Sequence, residues 1–184
     1  MKDASARDYK DTLVEALHRF QCCKDEDVEQ FLRERAILFE IRGWATTYLL
    51  LNREKFEKNE LWVEGYFSLT HKAVSFLEDV SKTTRGRVSG NRNATTESFV
   101  LIGQLGKYIG RDGTISPLSG KDLLDDAMGI ISQSSDLIIN RNIMIECKPI
   151  EQVKKVYLDY GFHDLQFDEG LHTMYLQLKI PVCF

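Results

Sequence analysis

Three prolines in 184 residues, four cysteines without a paired spacing and four histidines without a metal-binding one narrow what this chain can be. So little proline excludes a collagen-like or low-complexity chain. The only close cysteines, Cys22 and Cys23, are adjacent and lack the two-residue spacer of a zinc or thioredoxin-like motif. With Cys147 and Cys183 they read as free thiols of a reducing compartment. No metal site is expected. No apolar run reaches the roughly 18 residues of a membrane span. The start, Met1-Lys-Asp-Ala-Ser-Ala-Arg-Asp, lacks the apolar stretch of a signal peptide. A cytoplasmic location without a membrane partner is therefore expected. Positive charge is scarce too: 24 Lys and Arg against 28 Asp and Glu give a net charge of −4. That balance offers no field to gather nucleic acid, which is not expected as a partner.

What the chain does have is an ordinary globular composition, 43% hydrophobic and 28% charged, at a length suited to one domain over 1–184. Residues 1–10 are expected as a flexible tail, and residues 11–23 are ambiguous between strand and helix, with strand the preferred reading. From Asp25 an acidic first turn precedes apolar residues at three-and-four spacing, Val28, Phe31, Leu32, Ala36 and Phe39, which predicts a helix stopped by Gly43. Residues 45–51 and 61–70 have the β-branched and aromatic content of strands. Residues 81–96, with Gly86, Gly90 and the cluster Arg85, Arg87 and Arg92, show no apolar periodicity and read as a mobile, solvated loop. Phe99 to Ile109 reads as a buried strand broken by Gly103 and Gly106. A loop over 110–119 then leads into a helix from Gly120. Asn142 to Cys147 is a short strand, Pro149 to Tyr160 a helix ended by Gly161, and Thr173 to Lys179 a last strand. This order predicts a mixed α/β sheet with helices on its faces.

Three segments resemble the GCN5-related N-acetyltransferase (GNAT) family, over roughly residues 25–179. Val156-Tyr157-Leu158-Asp159-Tyr160-Gly161-Phe162 is similar to the family's aromatic–Tyr–x–x–aromatic–Gly–Phe ending of the last large helix, with Val156 in the first aromatic's place. Leu101-Ile-Gly-Gln-Leu-Gly-Lys-Tyr resembles the central strand that pairs with the pantetheine arm, and Leu118-Ser-Gly-Lys-Asp-Leu-Leu-Asp-Asp-Ala the pyrophosphate loop and its helix. Here the chain departs from pattern: the family's Gln/Arg–x–x–Gly–x–Gly/Ala falls on Ile115, Leu118 and Gly120, and only the last matches. Glu146-Cys147, Asp25-Glu-Asp-Val-Glu-Gln-Phe-Leu, Thr47-Tyr-Leu-Leu and Gly65-Tyr-Phe-Ser-Leu are similar to one branch of the family that has a Ser-Gly-Lys/Asp variant of this loop.

The resemblance implies the acyl-CoA N-acyltransferase fold and acetyl transfer from acetyl-CoA, as cosubstrate, to a primary amine of a small molecule, peptide or protein. It implies that the backbone of Leu105, Gly106 and Lys107 holds the pantetheine amides. It implies likewise that Ser119, Gly120 and Lys121 hold the pyrophosphate, where unpaired N–H groups and the positive helix end favour an anion. Tyr157, by its place in the motif, would protonate the departing thiolate, a step open to a phenol. Glu64, His71 and Glu97 are candidate bases with no motif to choose among them, and a homodimer is compatible with the reading. Two alternatives stand beside it: a coenzyme-binding or protein-interaction module without turnover, motivated by Ile115 and Leu118, and a toxin-like enzyme that acetylates aminoacyl-tRNA, suggested by the branch.

Overall fold

The computed structural model describes residues 2–135 and 141–178. Its first helix corrects the reading of the N-terminus. Leu13, Ala16, Leu17 and Phe20 recur at helical spacing, and α1 (Lys2–Arg19) takes in both the expected tail and most of the expected strand. Of the expected strand only Cys22 makes a strand-like bridge, to Ile109, before a turn at Cys23 and Lys24. The apolar stripe of α1 has somewhere to go, because Leu17 and Phe20 join one core with Phe31, Leu32, Ala36, Val63, Tyr66 and Tyr108. Burial against that core decides what local periodicity left open.

Asp25 caps α2 (Glu26–Gln30) by accepting from the Asp27 amide at 3.2 Å, as its acidic first turn suggests. A π-helical turn (Phe31–Arg35) and α3 (Ala36–Ile41) continue it to Gly43, whose φ of +65° ends the helix. Strand β1 (Thr46–Leu51) follows, then the short α4 (Arg53–Phe56), then β2 (Val63–Ser75). Residues 81–96 are the second correction: Lys82–Ser89 form α5. Ser81 caps it through the Thr84 amide, and Gly90 closes it at φ +75°. Arg85 fixes it by donating to the carbonyls of Val80 at 2.9 Å and Leu77 at 2.8 Å. These ties to the chain before the helix replace the missing apolar periodicity.

Strand β3 (Thr96–Lys107), α6 (Gly120–Ser135) and β4 (Asn142–Cys147) make the expected crossover, and β3 pairs parallel with β4 from Val100↔Ile143 to Ile102↔Ile145. Helix α7 (Glu151–Tyr160), β5 (His163–Asp168) and β6 (Leu171–Gln177) complete the chain, and both last strands are antiparallel to their neighbours. The strand order β1-β2-β3-β4-β6-β5 is a six-stranded mixed sheet. Of the cysteines, Cys22, Cys23 and Cys147 are free thiols, and Cys183 lies outside the described residues.

Backbone contacts divide the chain into two compact units. The first holds the chain up to Ser68 with Gln104–Leu124, and the second Leu69–Gly103 with the chain from Asp125 on. Each has its own core: the aromatic cluster around Phe20 and Tyr66 in the first, and Val74, Phe76, Phe99, Met144 and Tyr175 in the second. Each fully buried side chain of this size contributes about 1.5–3 kcal/mol relative to exposure. Among the described residues no helix is long and apolar enough to cross a membrane.

Candidate functional site

In the first unit the end of β3 and the start of α6 are tied together by a side chain. Lys107 donates from Nζ to the Leu118 carbonyl at 2.8 Å and to that of Ser116 at 3.4 Å. Five of the six expected coenzyme residues, Leu105, Gly106 and Lys107 on the strand with Gly120 and Lys121 on the helix, thereby flank one connection, with Ser119 at its cap. The parallel register with β4 ends at Ile102↔Ile145, while β3 runs on to Lys107. Gly106 serves a purpose the sequence did not reveal. A Cβ there would run into the Val28 side chain of α2, so the bare Cα makes room for a helix. Gly65 acts similarly, since its Cβ would meet Leu123 at 2.9 Å and Leu118 at 3.1 Å.

The connection itself is folded, not open. Asp112 accepts from the Thr114 amide at 2.9 Å, Gly113 takes φ +89°, and the Gly110 amide reaches the Thr114 carbonyl at 2.7 Å. Ile109 and Ile115 then bridge antiparallel, leaving Ile115 58% exposed. A buried carboxylate anchors this turn. Glu29, its side chain only 6% exposed, accepts from Arg33 at 2.8 Å and Arg111 at 3.0 Å, and its other oxygen accepts from the Cys22 amide at 2.9 Å. Burial pushes the Glu29 carboxyl up, but the donors Arg111, Cys22 and Arg33 outweigh it and hold the group below its ordinary value. Sequence reasoning passed over Glu29, whose only signal was an acid on the apolar side of a helix.

Ser119 caps α6 in a reciprocal pair with Asp122. Its hydroxyl accepts from the Asp122 amide at 3.2 Å, while its own amide donates to the Asp122 carboxylate at 2.7 Å. The Ser-x-x-Asp spacing was readable, yet the pairing changes what the helix start can do. Asp122 already complements the positive helix end, so an arriving anion meets a carboxylate that has engaged the Ser119 amide.

The remaining expected site residue belongs to the second unit. Tyr157 is half-buried on α7, edge-on to Phe162 at 6.0 Å between ring centroids, and its carbonyl accepts from the amides of Gly161 and Phe162. Gly161 at φ +112° makes this helix end. The second phenol of the motif has another task. Tyr160 donates to Asp125 at 2.8 Å, and burial followed by that carboxylate pushes its hydroxyl up. Of the candidate bases, Glu64 accepts from the Asn52 side chain at 2.7 Å in the first unit. In the second unit His71 is exposed, and Glu97 accepts from the Ser98 amide at 3.1 Å.

No protein-family model and no curated protein matches the chain. Solved structures do. A crystal structure of AtaTR bound with AcCoA is 20% identical, with a TM-score of 0.65 over 88% of this chain and 86% of that one. AtaT complexed with acetyl-methionyl-tRNAfMet gives the same four values: 20%, 0.65, 88% and 86%. A tyrosine-to-phenylalanine mutant of KacT is 19% identical with a TM-score of 0.66, covering 88% of this chain and 86% of that chain. At such identity the likeness is one of fold, and the fold is that of the GNAT acetyltransferases.

Proposed function

We propose that this chain, as a single catalytic domain over 1–184, is an acetyl-CoA-dependent N-acetyltransferase that moves an acetyl group to a primary amine. The observation that carries this reading is the coverage of nearly the whole chain by the fold of AtaTR bound with AcCoA. It is supported locally by the tie between β3 and the start of α6. In this reading the backbone of Leu105, Gly106 and Lys107 hydrogen-bonds the pantetheine amides. The first turn of α6 at Ser119, Gly120 and Lys121 receives the pyrophosphate. The amine attacks the thioester carbonyl, the carbon–sulfur bond breaks, and Tyr157 returns a proton to the sulfur. Tyr160 is the poorer donor, because its proton is held by Asp125.

Turnover with an amine acceptor tests the reading. Tyr157→Phe is expected to lower kcat about 100-fold at unchanged acetyl-CoA affinity, whereas Tyr160→Phe should alter thermal stability more than kcat. Binding of acetyl-CoA without turnover of any amine or peptide would favour the module that lost the reaction, as Ile115 and Leu118 suggest.

A finer reading is favoured by the AtaT complex with acetyl-methionyl-tRNAfMet: the acceptor amine is that of an aminoacyl-tRNA, and the protein is a toxin. The earlier expectation that nucleic acid is no partner rests on the net charge of −4 alone and yields to this comparison as the reading to test. Arg85, one of the cluster Arg85, Arg87 and Arg92, is spent on backbone carbonyls. Expression is expected to arrest growth and to leave acetylated aminoacyl-tRNA, both lost in Tyr157→Phe. Unimpeded growth with unmodified tRNA would leave only the general acetyltransferase.

A further inference from the structure

Between Asp79 and Glu97 the chain carries four cations, Lys82, Arg85, Arg87 and Arg92, and no acidic residue. Folding sorts this segment by chemistry. Its apolar residues turn inward, with Val80 and Val88 buried and Ala94 packed on the second unit's core. Arg85 turns inward too, to the Val80 and Leu77 carbonyls. The side chains of Lys82, Arg87 and Arg92 stay exposed, interleaved with those of Thr83, Asn91 and Asn93.

The exposed cations share one surface. At about 100° per residue, Lys82, Gly86 and Arg87 fall within an arc of about 140° on α5, on the side away from Val88. Arg92 joins them because Gly86 has no side chain: a Cβ there would meet the Arg92 Cγ at 2.8 Å, so the arginine stem lies against the helix. The turn that delivers it is fixed. Ser89 accepts from the Asn91 amide at 3.1 Å, and Asn91 from the Asn93 amide at 2.9 Å. Among the described residues none of the three cations pairs with a carboxylate.

A protein interface is built on a buried apolar centre depleted of charge, and a membrane-surface helix needs an exposed apolar face. This surface offers neither. A phosphodiester backbone asks only for cations and hydrogen-bonding side chains. We infer that α5 and the turn after it bind the phosphate backbone of RNA, Lys82, Arg87 and Arg92 each neutralising a phosphate. The inference deepens the aminoacyl-tRNA reading, on which the choice of RNA rests.

Fluorescence anisotropy with uncharged tRNA, in the absence of acetyl-CoA, tests it apart from acetyl transfer. Lys82→Gln, Arg87→Gln and Arg92→Gln combined should weaken binding about tenfold or more in low salt, and lower the slope of log affinity against log salt by about 2–3. Arg19→Gln, Arg53→Gln and Lys58→Gln combined, at exposed cations of the first unit, change the net charge equally and should leave affinity within about twofold. Should the α5 variant melt early, Lys82→Gln with Arg87→Gln leaves the packed Arg92 in place and should still lower the slope by about 2. No tRNA binding by the wild type, equal loss in both triple variants, or polyglutamate displacing tRNA as readily as unlabelled tRNA does would overturn the inference. Binding of this kind to a tRNA that is never acetylated would count against the aminoacyl-tRNA reading and uphold the surface.

Discussion

Each of the two units owes its internal geometry to a different kind of tie. In the second, β4 and β6 pair in unbroken register from Asn142↔Gln177 to Cys147↔His172, so backbone ladder bonds define its geometry. In the first, isolated side chains set the geometry of the expected coenzyme residues: Lys107 on the Leu118 carbonyl, Glu29 on Arg111 and the Cys22 amide, and Tyr66 on the Val28 carbonyl at 2.6 Å. Ladder bonds tolerate most changes of side chain, whereas ties of this kind do not. Substitutions that spare the chemistry should therefore still reshape the proposed coenzyme region in the first unit, and mainly shift stability in the second.

The largest expected effect is at Gly106. An added methyl must displace Val28, and overpacking of this kind costs about 3 kcal/mol. Gly106→Ala should lower the melting temperature by roughly 9 °C. Val28→Ala should restore much of that loss, and additive effects of the two changes would contradict the packing account.

Next in size is Glu29→Gln, expected to destabilise by about 2 kcal/mol because the Cys22 amide and the Arg33 and Arg111 guanidinium groups lose a charged, buried acceptor. The sign with pH follows from a carboxyl held low in the folded state. Its stabilisation is complete above the unfolded value near 4.5 and fades as pH falls through the lower folded value. The gap in melting temperature between wild type and variant should shrink in acid, and a gap independent of pH would exclude the ionic account.

Arg85→Met sharpens the comparison from the other side. Losing donors to the Val80 and Leu77 carbonyls should cost about 1.5 kcal/mol while leaving acetyl-CoA affinity untouched. The smallest effect is at the helix cap. Asp122→Asn removes a negative charge from the start of α6, and acetyl-CoA should bind about two- to fivefold more tightly, by less than 1 kcal/mol. Weaker binding would mean that the cap geometry matters more there than its charge.

Where a segment's own side chains determine its state, the sequence was sufficient. Thr46–Leu51, Asn142–Cys147 and the helix closed by Gly161 were readable from β-branched content, apolar runs and a glycine. Where distant groups decide, it was not. Helix α5 buries Val88 and otherwise depends on a Ser81 cap and the Arg85 guanidinium. Strand β5 lies at the far end of the sheet order, with Leu165 buried and Phe167 exposed, so its alternation gave a weak signal. For the candidate site, the positions along β3 and α6 were legible. The engagement of Gly106 by Val28 was not, because it requires a partner that only folding brings into contact.

The most direct test of the central claim is calorimetric titration of the purified chain with acetyl-CoA, alongside Gly120→Glu, which puts a carboxylate at the first turn of α6. Binding on the order of micromolar in the wild type, lost in the variant, is the predicted result. Absence of binding to the wild type, or equal binding to both, would contradict a coenzyme site at this helix.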